Sequence, residues 1–169
     1  MSEILLREYE IMWNPALGCN ALWAFTQGFI SRPSQGQLLT IWHLVSVLPL
    51  VFHDTTRKII LKRRKSSGLR SILDRDPANS IAQNESVFNI NNRIEGMKDR
   101  TFRSLNLAIA CNLITFDEGY FTSSVPFKLL GRASDETKAI LNASYKLGIW
   151  AGNMSVFEYL TILGVDCLT

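Results

Sequence analysis

The sequence predicts a mainly α fold with a small β-hairpin, a compact helical domain with winged-helix-like features, and three observations support this. Apolar residues recur at helical spacing behind well-formed caps, at Asn14-Pro15, at Ser134-Asp135-Glu136 and at Ser155 with Glu158. The stretch ITFDEGYFT instead alternates with period two around Asp117-Glu118-Gly119. Finally, an apolar run from Leu38 passes through Pro49 directly into a basic segment that ends at Lys65. That run falls short of the roughly 20 apolar residues a membrane-crossing helix needs, and it contains His43 and Pro49, so it reads as a buried core helix.

Taken in order, residues 1–13 show no clear period and read as an arm or an edge strand. Asn14 then suits an N-cap and Pro15 the first helical position, with Leu17, Ala21, Leu22, Phe25 and Phe29 as the inward stripe. Trp23 lies off that stripe and is placed to meet another element. SRPSQGQ is a loop, and the helix from Leu38 is expected to kink or stop at Pro49. Asp54 is then the expected cap of a helix that turns Ile59 and Ile60 inward and keeps Arg57, Lys58, Lys62, Arg63, Arg64 and Lys65 in water.

Ser66-Ser67-Gly68 reads as a stop, followed by one short turn over residues 69–73. Asp76-Pro77 opens a polar helix reaching to about Ile94, with Ile81, Phe88 and Ile94 inward. Gly96 is expected to break it and Asp99 to cap the next helix, which buries Phe102, Leu105, Ile109 and Leu113. Helix, helix, hairpin is the order of a winged helix, here over roughly residues 76–125. Ser134 caps a helix whose inner stripe is Ile140, Ala143, Leu147 and Trp150, and Ser155 with Glu158 forms a capping box on the last one. Met154 is placed to staple onto Tyr159, and Gly164 stops that helix. These two helices are expected to form an antiparallel hairpin over roughly residues 134–164.

A chain of 169 residues, 47% hydrophobic and 20% charged, is read as one domain over 1–169 with a real core. Net charge is only +3, yet no acidic residue falls between Thr55 and Leu73, so the positive charge is local. The opening MSEILLREYE carries glutamates where a secretion signal needs cations, and a cytoplasmic location without membrane contact is expected. Cys19, Cys111 and Cys167 are odd in number and far apart, which suits reduced, mostly buried thiols.

No phosphate-binding GxxxxGK(S/T), HExxH, GxSxG or CxxC occurs, so neither an enzyme nor a cofactor or metal is expected. The nearest catalytic pattern is Asp117 with Glu136-Thr137-Lys138, which resembles the acid plus ExK set of metal-dependent nucleases. That set requires a strand for its ExK, whereas Glu136 and Lys138 fall in the first turn of a helix. His43, alone among apolar residues, reads as a core side chain, and His53 beside Asp54 reads as capping.

The candidate binding patch is Arg57, Lys58, Lys62, Arg63, Arg64, Lys65 and Arg70, fitted to phosphates or to an acidic protein. Lys98, Arg100 and Arg103 form a second basic set. Trp23, Phe29 and Trp42 are the candidate protein-interface anchors.

Four stretches together, Asn14-Pro15-Ala16, LPLVFHDTTRKIIL, ITFDEGYFT and LGIWAG ahead of VFEYLTILGV, make the chain resemble the middle components of bacterial ABC-three-component systems. These are small accessory subunits of Lamassu-type defence operons. The resemblance covers nearly the whole chain. It implies a non-catalytic subunit of an anti-phage or anti-plasmid complex. Such a subunit bridges an SMC-like ABC ATPase dimer and an effector nuclease, and within it the basic patch either helps to hold double-stranded DNA or docks an acidic protein surface. The alternative reading is a free-standing winged-helix transcription regulator that binds a palindromic site.

Overall fold

A computed structural model describes residue 5 and residues 14–31, 36–72, 89–129 and 131–165. The N-terminal arm, apart from Leu5, and most of the polar helix after Asp76, with Ile81 and Phe88, lie outside the described residues. So does Cys167. The described chain forms helices α1 (Pro15–Ile30), α2 (Ile41–Val51), α3 (Asp54–Lys62), α4 (Ile90–Ala110), α5 (Asp135–Gly152) and α6 (Val156–Leu163). Short 3-10 turns stand at Lys65–Ser67 and Leu69–Ile72, and strands β1 (Thr115–Asp117) and β2 (Tyr120–Thr122) make a two-stranded antiparallel sheet. The fold is mainly helical with one small hairpin, as the sequence predicts.

Helix α1 begins where its cap dictates: Asn14 Oδ1 accepts from Ala16 N at 3.0 Å and Leu17 N at 3.2 Å. It is the central helix and packs on α5, α4 and α2. Ala21, Leu22, Phe25 and Phe29 are buried as expected, and Leu17 is half-buried against the same core. Along α5, Ile140, Ala143, Leu147 and Trp150 are all buried. The two helices approach until backbone meets backbone: a Cβ on Gly148 would overlap the Phe25 carbonyl, and one on Gly28 the Tyr145 carbonyl. Only hydrogen at these Cα atoms permits that spacing.

Three boundaries differ from the sequence reading. Helix α2 starts at Ile41 behind Thr40, because Leu39 is used as a strand: Phe121 N donates to Leu39 O at 2.9 Å in an isolated antiparallel bridge. Pro49 does not immediately end α2, which runs on to Val51. So near the C-terminus, proline forfeits a single i to i−4 bond, and burial of Leu48, Leu50 and Val51 outweighs it. Gly96 does not break α4 and Asp99 does not cap a new helix, since α4 continues through both. A helical glycine costs only about 1 kcal/mol relative to alanine, less than the burial of Met97, Thr101, Leu105 and Ala108 on one face contributes. With this phase Phe102 turns outward and is exposed, contrary to expectation, while Ile109 and Leu113 are half-buried.

The hairpin turns through Glu118 and Gly119, both at positive φ (+48° and +89°), the geometry a two-residue loop needs to follow strand twist. Phe116 pairs with Phe121 across it, and Phe121 is buried against the Leu39 segment. Gln27 Nε2 donates to Ser123 O at 3.1 Å, tying the segment after β2 to α1.

Ser134 caps α5 and Ser155 caps α6, each accepting from the third helical amide at 3.2 Å. Gly164 ends α6 in the left-handed region. Glu158 does not complete the expected capping box by reaching back; its carboxylate pairs with Arg70 at 2.8 Å. Nor does α6 lie along α5 as an antiparallel hairpin. Only residues 153–155 separate the two helices, and α6 packs mainly on α2 and the second 3-10 turn. Tyr159, fully buried, meets Ser46 of α2 through a 2.8 Å hydroxyl contact.

Candidate functional site

The basic segment is built on α3. His53, not Asp54, is its N-cap: Nδ1 accepts from Thr56 N at 3.4 Å and contacts Thr56 Oγ1 at 3.0 Å. Asp54 is the first helical residue, and there its carboxylate pairs with Arg57 at 3.0 Å and Lys58 at 2.6 Å. Burial holds the His53 pKa below its ordinary value, with the positive charges of Arg93 and Arg57 adding to the effect and Asp54 opposing it. Ile59 and Ile60 face the core as expected.

Arg57 does not stay in water. It is buried, its guanidinium donating to Val51 O at 3.0 Å and Phe52 O at 3.3 Å, with Glu136 3.8 Å away. The stem packs inside while the head satisfies the last carbonyls of α2, so Arg57 is a structural residue rather than part of a wet patch. Glu136, half of the nuclease-like ExK pattern, thereby serves Arg57. Among the described residues no group of three or more His, Cys, Asp or Glu is placed to hold a metal.

Past α3 the chain is pinned from α5. The Lys146 ammonium donates to Ile60 O at 3.1 Å, Leu61 O at 2.9 Å and Arg63 O at 2.7 Å, so one side chain covers the orphan carbonyls of the helix end. Burial and the nearby Lys65 charge lower its pKa. One turn along α5, Trp150 Nε1 donates to Lys65 O at 2.9 Å, and the Lys65 ammonium stands 5.4 Å from the Tyr145 ring centroid. Lys62, Arg64 and Lys65 are thus exposed, with Arg63 half-exposed, on a main chain fixed at four carbonyls. Changing Lys146→Met is expected to cost about 1–3 kcal/mol by leaving these carbonyls unsatisfied. It should also accelerate tryptic cleavage after residues 63–65, which urea unfolding and limited proteolysis would measure.

Lys58 and Arg70 are exposed but ion-paired, to Asp54 and Glu158. In the second set Lys98 sits 4.0 Å from Glu95, Arg103 is exposed and Arg100 is half-buried. Arg100 joins His53 and Asn92 around a cavity of about 330 Å³ between α4 and the α2–α3 corner. Sequence reasoning missed Arg93, which lines the same cavity; its separation of seven from Arg100, two helical turns, was the available signal.

Two of the three candidate anchors prove internal. Phe29 is core, and Trp23 is half-buried, donating from Nε1 to Val125 O at 3.0 Å and packing edge-on against Phe127. Trp23 therefore meets another element, as its position off the stripe suggested. Trp42 is exposed, as are Leu38, Phe116 and Tyr120.

His43 is a core residue as expected: Nδ1 lies 3.2 Å from Thr40 N and 3.1 Å from Thr40 Oγ1, closing the cap of α2. Cys19 is buried and its thiol is pushed up to about 11 by burial, with Cys111 adding to the shift. Both thiols are free, Cys19 buried and Cys111 exposed.

No helix among the described residues is long and apolar enough to cross a membrane. Neither a curated protein nor a solved structure matches the chain. A family model does, over residues 2–167, and by that match the chain belongs to the family of ABC-three component (ABC-3C) system Middle Component 3 proteins.

Proposed function

We propose that this middle component is the non-catalytic accessory subunit of a Lamassu-type anti-phage or anti-plasmid complex in the bacterial cytoplasm. It bridges an SMC-like ABC ATPase dimer and an effector nuclease, and it helps to hold double-stranded DNA through Lys62, Arg63, Arg64 and Lys65. Family membership supports the assembly. The pinned basic segment supports the DNA role, because exposed cations on a fixed main chain are suited to phosphates, which demand charge without a base code. The exposed Trp42 is the remaining aromatic anchor for a protein partner.

The test is co-purification with the products of the neighbouring genes, followed by DNA binding by the complex. Changing Arg63, Arg64 and Lys65 together to glutamate is expected to leave the complex intact and weaken DNA binding. The salt slope of log Kobs should shrink by about 3, at roughly 0.9 for each phosphate no longer neutralised. A complex that falls apart instead would make the segment a protein dock. A lone chain that forms no complex and binds one operator sequence would make it a regulator.

A further inference from the structure

The hairpin leaves one edge open. Strand β2 lies between β1 on one side and Leu39 on the other, so β1 is the outer strand. In an antiparallel pair, opposed residues alternate between exchanging both main-chain bonds and exchanging none. Phe121 sends its N–H away from β1, to Leu39 O at 2.9 Å, so the Phe116–Phe121 pair is of the kind that exchanges none. The N–H and C=O of Phe116 therefore point outward from the hairpin, and among the described residues neither has a main-chain partner. All three residues of β1 are exposed, Phe116 at 54%, and its ring rests against Phe121 with centroids 4.8 Å apart.

An exposed edge is a template for a further strand, and an edge that is to stay unused is blunted by charge, proline or a bulge. Phe116 is instead a large aromatic residue, a type enriched both in strands and at protein interfaces, at the one position of β1 whose main chain faces outward. With three residues, β1 accepts a short segment only. The corner is apolar beyond the edge as well. The Leu39 bridge brings Leu38 beside the hairpin, and Leu38, Tyr120 and Trp42 in the first turn of α2 are all exposed.

Charge decides which strand fits. Asp117 in β1 and Glu118 in the turn are exposed beside the edge and call for a cation opposite. A second copy of this chain does not supply one. Only Phe116 of β1 has main-chain groups on this side, so self-pairing would centre on Phe116 and set Thr115 against Asp117.

We propose that the outer edge of β1 takes up one extended segment of a partner protein, which exchanges both main-chain bonds with Phe116 and sets a lysine or arginine opposite Asp117. This role rests on the reading of the chain as a bridging subunit, and it gives that subunit a protein contact separate from the basic segment.

Co-expression with the products of the neighbouring genes, followed by hydrogen exchange of this chain alone and in the complex, tests this. In peptides covering residues 114–118, the Phe116 amide is expected to exchange freely in the lone chain and about tenfold or more slowly in the complex. Phe116→Pro removes the outward N–H without touching the bonds to β2, a change that edge strands tolerate. It should weaken the complex about tenfold or more, whereas Phe116→Leu keeps both main-chain groups and should weaken it less. Asp117→Lys should weaken it too, with circular dichroism confirming that each variant is folded. The proposal is overturned, and the bridging reading left standing, if the Phe116 amide gains no protection in an intact complex or if folded Phe116→Pro binds as the parent does. A complex unmoved by Asp117→Lys would overturn the cation opposite it. If the parent forms no complex, the bridging reading falls and the proposal with it. Protection of Phe116 in the lone chain that grows with concentration would make the edge a contact between copies and overturn the proposal.

Discussion

Gly148→Ala is expected to destabilise the fold by about 3 kcal/mol or more, among the largest effects of any single added methyl group. The new Cβ would overlap the Phe25 carbonyl and crowd the Phe29 amide, both main-chain atoms of α1 that no rotamer change can move aside. Relief requires α1 and α5 to separate. That separation would reach Gly152, whose Cβ would lie 2.5 Å from Phe29 O, and Gly28 on the opposite helix. Close packing would loosen along the whole helix pair. Gly96→Ala is the matched control: also in a helix interior, but facing open space, so it should gain roughly 0.5–1 kcal/mol. Urea unfolding followed by circular dichroism reads both. Equal effects of the two substitutions would sink the argument from close approach.

The second large effect is with acid. His43 is buried, its Nε2 has no partner, and burial lowers its pKa to about 4, only slightly offset by the Thr40 backbone. The unfolded chain therefore binds more protons than the native one between the ordinary value near 6.5 and about 4. Stability is full above the upper value and falls as pH drops through this window. At roughly 1.4 kcal/mol for each tenfold change in proton affinity, the loss approaches about 3 kcal/mol by pH 4. His53, also held low, adds in the same direction. Tyr159, whose ring centroid is 5.2 Å from that of His43, is raised by burial and stays neutral throughout. His43→Gln keeps a capping-box side chain at the third helical position without the titrating ring. Its unfolding free energy should decline less between pH 7 and pH 4 than that of the parent. Parallel curves for the two proteins would show that His43 does not carry the pH dependence.

How much of this was legible in the sequence follows from which forces are local. Caps and turns are set by a few adjacent residues, and Asn14, Ser134, Ser155, Gly164 and the Glu118-Gly119 turn all occur where sequence logic puts them. One failure is local, since His53 rather than Asp54 caps α3; the larger ones are tertiary. Leu39 leaves the helical pattern because a hairpin remote in sequence offers it a strand partner. Gly96 stays inside a helix because burial on α4 outweighs its local preference. Arg57 reads as solvent-facing by charge, yet carbonyls at the end of α2 and two carboxylates give it a buried seat. The outward-facing cations of residues 62–65 were legible, whereas Lys146 and Trp150, which hold them, act from more than eighty residues away.

Because Lys146 and Trp150 grasp only main-chain oxygens, their hold does not depend on which side chains that segment carries. The side chain at residue 64 can then change without loosening these four bonds. A segment held this way presents its outward side chains from a fixed frame, so its surface chemistry can change by substitution while its path does not.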